Sequence, residues 1–173
     1  MSIFHQQFTN SEIVTATGVT NFQLQNWLKR GQIVGQGDSE VGGGGGPGRH
    51  RRFSFFNLME VAVAKALIDV GLTDMQRVTH VAVGFAHTGD NAIGSRPGRR
   101  PGLPFKEGKT LLIVGPDRVE EYQLKATERL GLAAAILQHG IGAVVIDVSE
   151  VFNNTLRRAG LDPAATIRAA YEG

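Results

Sequence analysis

Apolar residues recur along the first part of this chain at helical spacing, punctuated by residues that open and close helices. In "NFQLQNWLKR", Leu24, Trp27 and Leu28 fall on one side of a helix and predict an inward face. Phe22, Gln25, Asn26, Lys29 and Arg30 are left on the other, a face that is amide-rich, basic and marked by one unburied aromatic. Further on, "FNLMEVAVAKALIDV" at 56–70 is broken only by Asn57, Glu60, Lys65 and Asp69, so it predicts a helix inside a core. Met75, Val78, Ala82 and Phe85 then repeat at helical intervals. Ser or Thr followed three residues later by Glu or Gln marks a helix start, because the two side chains reciprocally satisfy free backbone N–H groups. That pattern occurs as Thr9 with Glu12, Thr20 with Gln23 and Thr73 with Gln76. It predicts helices over 10–17 and 21–30, stopped by Gly18 and Gly31, and another following Thr73.

Between these helices, "QIV" and "RHRRFSF" are β-prone pieces around a loop too glycine-rich for regular structure, the outline of a wing. The order is helix, turn, helix, wing, helix, helix. Beyond residue 88 the pattern changes. Pro97, Pro101 and Pro104 fall within eight residues among glycines and arginines, a linker composition. After it "KTLLIVG" and "EEYQLKAT" read as strands, "AAAILQHGIGAVVIDV" as a helix or strand followed by a strand, and "SEVFNNTLRRAG" as a helix. Asp162 and Pro163 stand in the order of an N-cap and first helical residue. The expected fold class is α+β: a winged helix-turn-helix over 1–88, a basic Pro/Gly/Arg linker over 89–108, and a small C-terminal α+β domain over 109–173.

Composition narrows the function classes. At 173 residues, 42% hydrophobic and 20% charged, the chain reads as ordinary globular protein. It has no cysteine, which excludes disulfides, thiolate catalysis and Cys-bound metal. No apolar run approaches the ~20 residues of a membrane span, and the N-terminus lacks a signal-peptide pattern, so a cytoplasmic protein without a membrane partner is expected. The net charge of +2 is small, but its distribution is uneven. Arg49, Arg51 and Arg52 put three charges in four residues, and Arg96, Arg99, Arg100 and Lys106 put four in eleven without an acid between them.

The run "FTNSEIVTATGVTNFQLQNWLKRGQIV" and the following "RHRRFSFFNLMEVAVAKALIDVGL" resemble the DNA-binding domain of the MerR family of transcription regulators over about residues 8–86. The resemblance implies sequence-specific binding of double-stranded DNA by a homodimer. Residues 21–30 would be the recognition helix and 49–53 the wing strand on the DNA backbone. Gln25, Asn26 and Trp27 stand where the family carries an arginine and two aromatics, and "HTGDNAIGSRPGRRPGLP" replaces its long dimerisation helix. "LQNWLKRG" is also similar to the winged helix of phage small-terminase and excisionase proteins, which implies a DNA-packaging or recombination factor instead.

Gln25 and Asn26 are the expected base readers, since an amide offers both a donor and an acceptor to adenine. Thr20, Asn21 and Phe22 accompany them at the helix start, and Lys29 and Arg30 suit phosphates. In the wing, Arg49, His50, Arg51 and Arg52 are expected at the backbone, with strand alternation separating Arg49 and Arg51 from His50 and Arg52. Arg96, Arg99 and Arg100 are either plain linker or an arm for a narrow minor groove. The C-terminal domain would dimerise the protein or bind a small-molecule or protein effector. His80 and His87 lie two turns apart, too far to chelate one metal, and neither Glu120 with Glu121 nor Asp147 with Glu150 accompanies a nucleophile. The glycine run lacks the Lys-Ser or Lys-Thr of a phosphate-binding loop. No metal, no cofactor and no enzymatic activity are therefore expected.

Overall fold

A computed structural model of the chain describes residues 3–33, 41–42, 51–91, 98–126 and 129–172. Among them, seven α-helices and two small antiparallel sheets make a mixed α+β fold. The first two helices, α1 (Asn10–Thr17) and α2 (Asn21–Lys29), open with the expected reciprocal caps of Thr9 with Glu12 and Thr20 with Gln23. Each cap satisfies N–H groups that the first helical turn leaves free. Gly18 ends α1 at a φ of 74° and Gly31 follows α2 at 65°, left-handed conformations that cost glycine little.

The first sheet differs from expectation. Its strands are β1 (Gln7–Thr9), β2 (Val41–Gly42) and β3 (Arg52–Ser54), in the order β1-β3-β2. "QIV" supplies no described strand: the Gln32 N–H closes α2 by donating to the Trp27 carbonyl at 2.8 Å, and Ile33 turns into the core. Val34 lies outside the described residues, as do Arg49 and His50. The strand in "RHRRFSF" is short because Ser54 already caps the next helix, exchanging hydrogen bonds with Asn57.

That helix, α3 (Phe55–Asp69), buries ten of its fifteen residues and is the centre of the molecule. It packs against α1 and against α4 (Met75–His87). The expected start at Thr73 is corrected by one residue. Asp74 accepts the Gln76 and Arg77 N–H groups at 3.0 and 3.3 Å, because a carboxylate immediately before the first turn reaches both donors.

In the second sheet, β4 (Lys109–Val114) lies between β5 (Val119–Leu124) and β6 (Val144–Asp147), antiparallel to both. The remaining helices are α5 (Arg129–Leu137), α6 (Val148–Arg158) and α7 (Pro163–Glu172). Asp162 caps α7 by accepting the Ala164 and Ala165 N–H groups. Helix α6 packs against β4, α1 and α3 at once. One cluster of buried side chains thus joins Ile13 and Leu24, Leu58 and Val61, and Leu112, Phe152 and Leu156.

Residues 98–108 do not behave as a spacer. Asp90 and Arg99 exchange backbone hydrogen bonds at 2.9 and 2.8 Å, and the Gly102 N–H donates to the Phe85 carbonyl. Leu103 is fully buried and Phe105 nearly so, each burial stabilising the fold by about 1.5–3 kcal/mol. Proline and glycine here shape a packed turn rather than a tether. No helix among the described residues is long and apolar enough to cross a membrane.

Candidate nucleic-acid interface

Strand β1 runs directly into α1 while pairing with β3, in the register Gln7 with Ser54, Phe8 with Phe53 and Thr9 with Arg52. This pairing brings Arg52 to the start of α1. Phe8 and Phe53 face the core, so the exposed Arg52 side chain is held outside by its buried neighbour. Arg51 is half-buried just before the strand. The expected separation of Arg51 from Arg52 does not hold, because regular alternation begins only at Arg52. Both line one cleft of about 630 Å³ together with Asn10, Ser11, Val14 and Asn21.

A side-chain amide chain ties α2 to this cleft. The Asn10 amide donates to the Asn21 side-chain oxygen at 2.8 Å, and the Gln25 amide donates to the Asn10 oxygen at 3.0 Å. The link fixes the exposed Asn21 and Gln25 against the first turn of α1 without burying them. Phe22 is 76% exposed beside them. Lys29 and Arg30 are exposed at the far end of the helix, and Asn26 sits half-buried on its flank rather than on the open face. Leu24 and Trp27 take the inward positions that the spacing predicts. Thr20 is committed to capping α2 through Gln23.

The cleft has the electrostatics of an anion site. Two guanidinium groups meet the start of α1, where unpaired N–H groups and the helix dipole favour negative charge. One acid lies close by. Glu12 accepts the Thr9 N–H at 2.6 Å and its hydroxyl at 2.8 Å, and those bonds, with Arg52 nearby, hold its carboxyl below the usual range. Ser11 lines the same wall.

Arg99 is turned inward, whereas Arg100 is exposed and held against α7. The Arg99 side chain is fully buried, clamps both Glu121 oxygens at 2.6 Å and stacks 4.4 Å from the Phe85 ring centroid. The minor-groove reading of Arg99 is corrected accordingly, since a guanidinium saturated inside the fold cannot reach a groove. The Arg100 N–H donates to the Tyr171 hydroxyl at 3.1 Å, and its guanidinium donates to the Ala170 carbonyl, anchoring α7. Arg96 lies outside the described residues.

The histidines do other work. His87 is paired with Glu60 at 2.9 Å in the core, where Asn57 also approaches Glu60. No group of three metal-ligating side chains occurs among the described residues. A separate cleft of about 860 Å³ opens between α4 and β5, lined by Val81, Phe85 and Tyr122 with His80, Asp90 and Glu120 among its polar groups. Asn10 and Ser11 are the site residues that sequence reasoning missed. The partners of Asn10 lie 11 and 15 residues away, and no local pattern signals contacts at that distance.

No family model matches the chain, and no curated protein matches it either.

Proposed function

We propose that this chain is a sequence-specific DNA-binding regulator of the winged helix-turn-helix kind, with α1 and α2 as the helix pair and β1, β3 and β2 as the wing sheet. The observation that carries the reading is the convergence of Asn21, Arg51 and Arg52 on one cleft beside the open amide-rich face of α2. Those groups match the two tasks of DNA recognition. Guanidinium and helix-start N–H groups hold phosphates and set the register. Exposed amides read base edges in the major groove.

In this reading Gln25 and Asn21 enter the groove as a pair already positioned by Asn10, while Phe22 is placed to meet a thymine methyl. Arg51, Arg52 and Ser11 hold the flanking backbone. Lys29 and Arg30 add phosphate contacts at the end of α2. A nine-residue helix is about 13.5 Å long and reads one half-site, so a dimer reads two.

A gel shift on the region upstream of the coding sequence, repeated over a salt series, tests the proposal. Wild type is expected to bind with a steep negative slope of log affinity against log salt. Arg51→Ala and Arg52→Ala should each flatten that slope by about 1, the signature of one lost phosphate contact. Absence of binding at low salt, or binding unaffected by both changes, refutes the assignment.

A further inference from the structure

Helix α6 meets the helix pair from the C-terminal half of the chain. Val148, Phe152, Thr155 and Leu156, at helical spacing, are its buried residues, and it packs against α1. Its last turn carries Arg157 and Arg158, both exposed. These neighbours go to different places. Arg158 reaches the turn between α1 and α2, where its Nη1 stands 3.5 Å from the point that a Cβ on Gly18 would occupy. Arg157 lines a separate cleft of about 540 Å³ with Lys106, Asn153 and Arg168, beside the start of α7.

Nothing acidic meets Arg158 at that turn. Residues 13–31 contain no Asp or Glu, and among the described residues no carboxylate forms an ion pair with either arginine. The dipole of α6 favours a cation in its last turn, a reason that applies equally to both arginines and sends neither to Gly18.

We propose that Arg158 is a further DNA-contacting residue, donating to a backbone phosphate on the rim of the groove that α2 enters. The inference rests on the DNA reading and extends the contact to a helix outside residues 1–88. Spacing supports it. Arg51 and Arg52 share a cleft with Asn10 and Ser11 in the first turn of α1, whereas Arg158 lies at Gly18, just past its last turn. Eight helical residues span about 12 Å, so α1 holds its two basic ends about that far apart. The major groove is also about 12 Å wide, with phosphates along both rims. A guanidinium at each end of α1 thus fits one phosphate rim on either side of the reading helix.

The test compares Arg158→Ala with Arg157→Ala, which remove the same charge from adjacent exposed positions. Fluorescence anisotropy of a labelled duplex from the region upstream of the coding sequence, over a salt series, gives the slope of log affinity against log salt. Arg158→Ala is expected to flatten the slope by about 1, Arg158→Lys to keep it, and Arg157→Ala to leave it as in wild type. Equal effects of the two alanine variants overturn the proposal, since net charge alone then accounts for them. An Arg158→Ala variant that melts at lower temperature with an unchanged slope overturns it too, and leaves the side chain to the end of α6. In either case wild-type binding, flattened by Arg51→Ala and Arg52→Ala, keeps the DNA reading intact. Wild type that fails to bind the duplex at low salt overturns both.

Discussion

Replacing Arg99 with alanine removes a side chain whose donors are all engaged. Besides the two Glu121 oxygens, its guanidinium donates to the carbonyls of Thr88 at 2.7 Å, Phe85 at 3.1 Å, Arg100 at 2.9 Å and Leu103 at 3.2 Å. The change leaves one carboxylate without its counter-charge and several inward carbonyls without donors. Breaking a buried pair from one side costs about 3–5 kcal/mol. Glu121 keeps 19% side-chain exposure and can recover some water, so the lower end, about 3 kcal/mol, is expected here. Against a total stability of about 5–15 kcal/mol that is a large fraction. At roughly 2–4 °C per kcal/mol for a chain of this size, the melting temperature should fall by about 6–12 °C. Urea unfolding followed by circular dichroism measures the loss. The paired replacement Arg99→Met with Glu121→Leu should cost less than Arg99→Met alone, since it leaves no unpaired charge. A loss below about 1 kcal/mol for Arg99→Ala, with a weakened salt-dependent DNA affinity instead, would refute the reasoning and restore Arg99 as an external basic arm.

Gly84 lies inside α4, and a Cβ added there meets nothing within 4 Å. Gly84→Ala should therefore stabilise the fold by about 0.5–1 kcal/mol in thermal or urea unfolding, and destabilisation would mean that its backbone is not helical. Thr20→Ala removes the cap of α2 and should cost about 1 kcal/mol, with DNA affinity falling in the same variant if α2 is the reading helix. The Glu12 carboxyl is held below its usual value of 4.5, so its contribution is present above that value and disappears as pH falls through the lower folded one. Melting curves from neutral pH to about pH 3 should show the gap between wild type and Glu12→Gln closing on acidification, and a gap that widens would reverse the assignment.

What could be read from the sequence was short-ranged. Thr9 with Glu12, Thr20 with Gln23, and Asp162 before Pro163 each act within one helical turn, and each caps the helix that the spacing predicts. Ser54 with Asn57 performs the same reciprocal exchange but escaped notice, because asparagine falls outside the glutamate-or-glutamine pattern. β1 was not legible for a different reason. Three residues, Gln7–Thr9, with one buried side chain are too short for alternation to register, and their partner strand lies some forty-five residues later. Without β1 there was no means to see that the first turn of α1 shares a cleft with the wing arginines, so Asn10 and Ser11 stayed outside the expected site.

Arg99 shows why composition misleads about the second basic cluster. Proline, glycine and arginine in "SRPGRRPGLPFK" are what a solvated tether uses, and equally what a tight turn uses when its arginine has an acid to meet inside. The deciding residue, Glu121, is 22 positions away on β5. The same chemistry has opposite outcomes at the two clusters for one physical reason. Arg52 follows a register that leaves its side chain over open solvent beside a helix start, whereas Arg99 lies under Phe85, opposite a carboxylate and a ring of carbonyls. A guanidinium that has already exchanged its water for protein acceptors has little left to gain from a phosphate, and one still in water keeps that gain in full. Salt dependence is therefore expected to belong to Arg51 and Arg52, and loss of stability to Arg99. Measuring both quantities on the same three variants separates the binding cluster from the structural one.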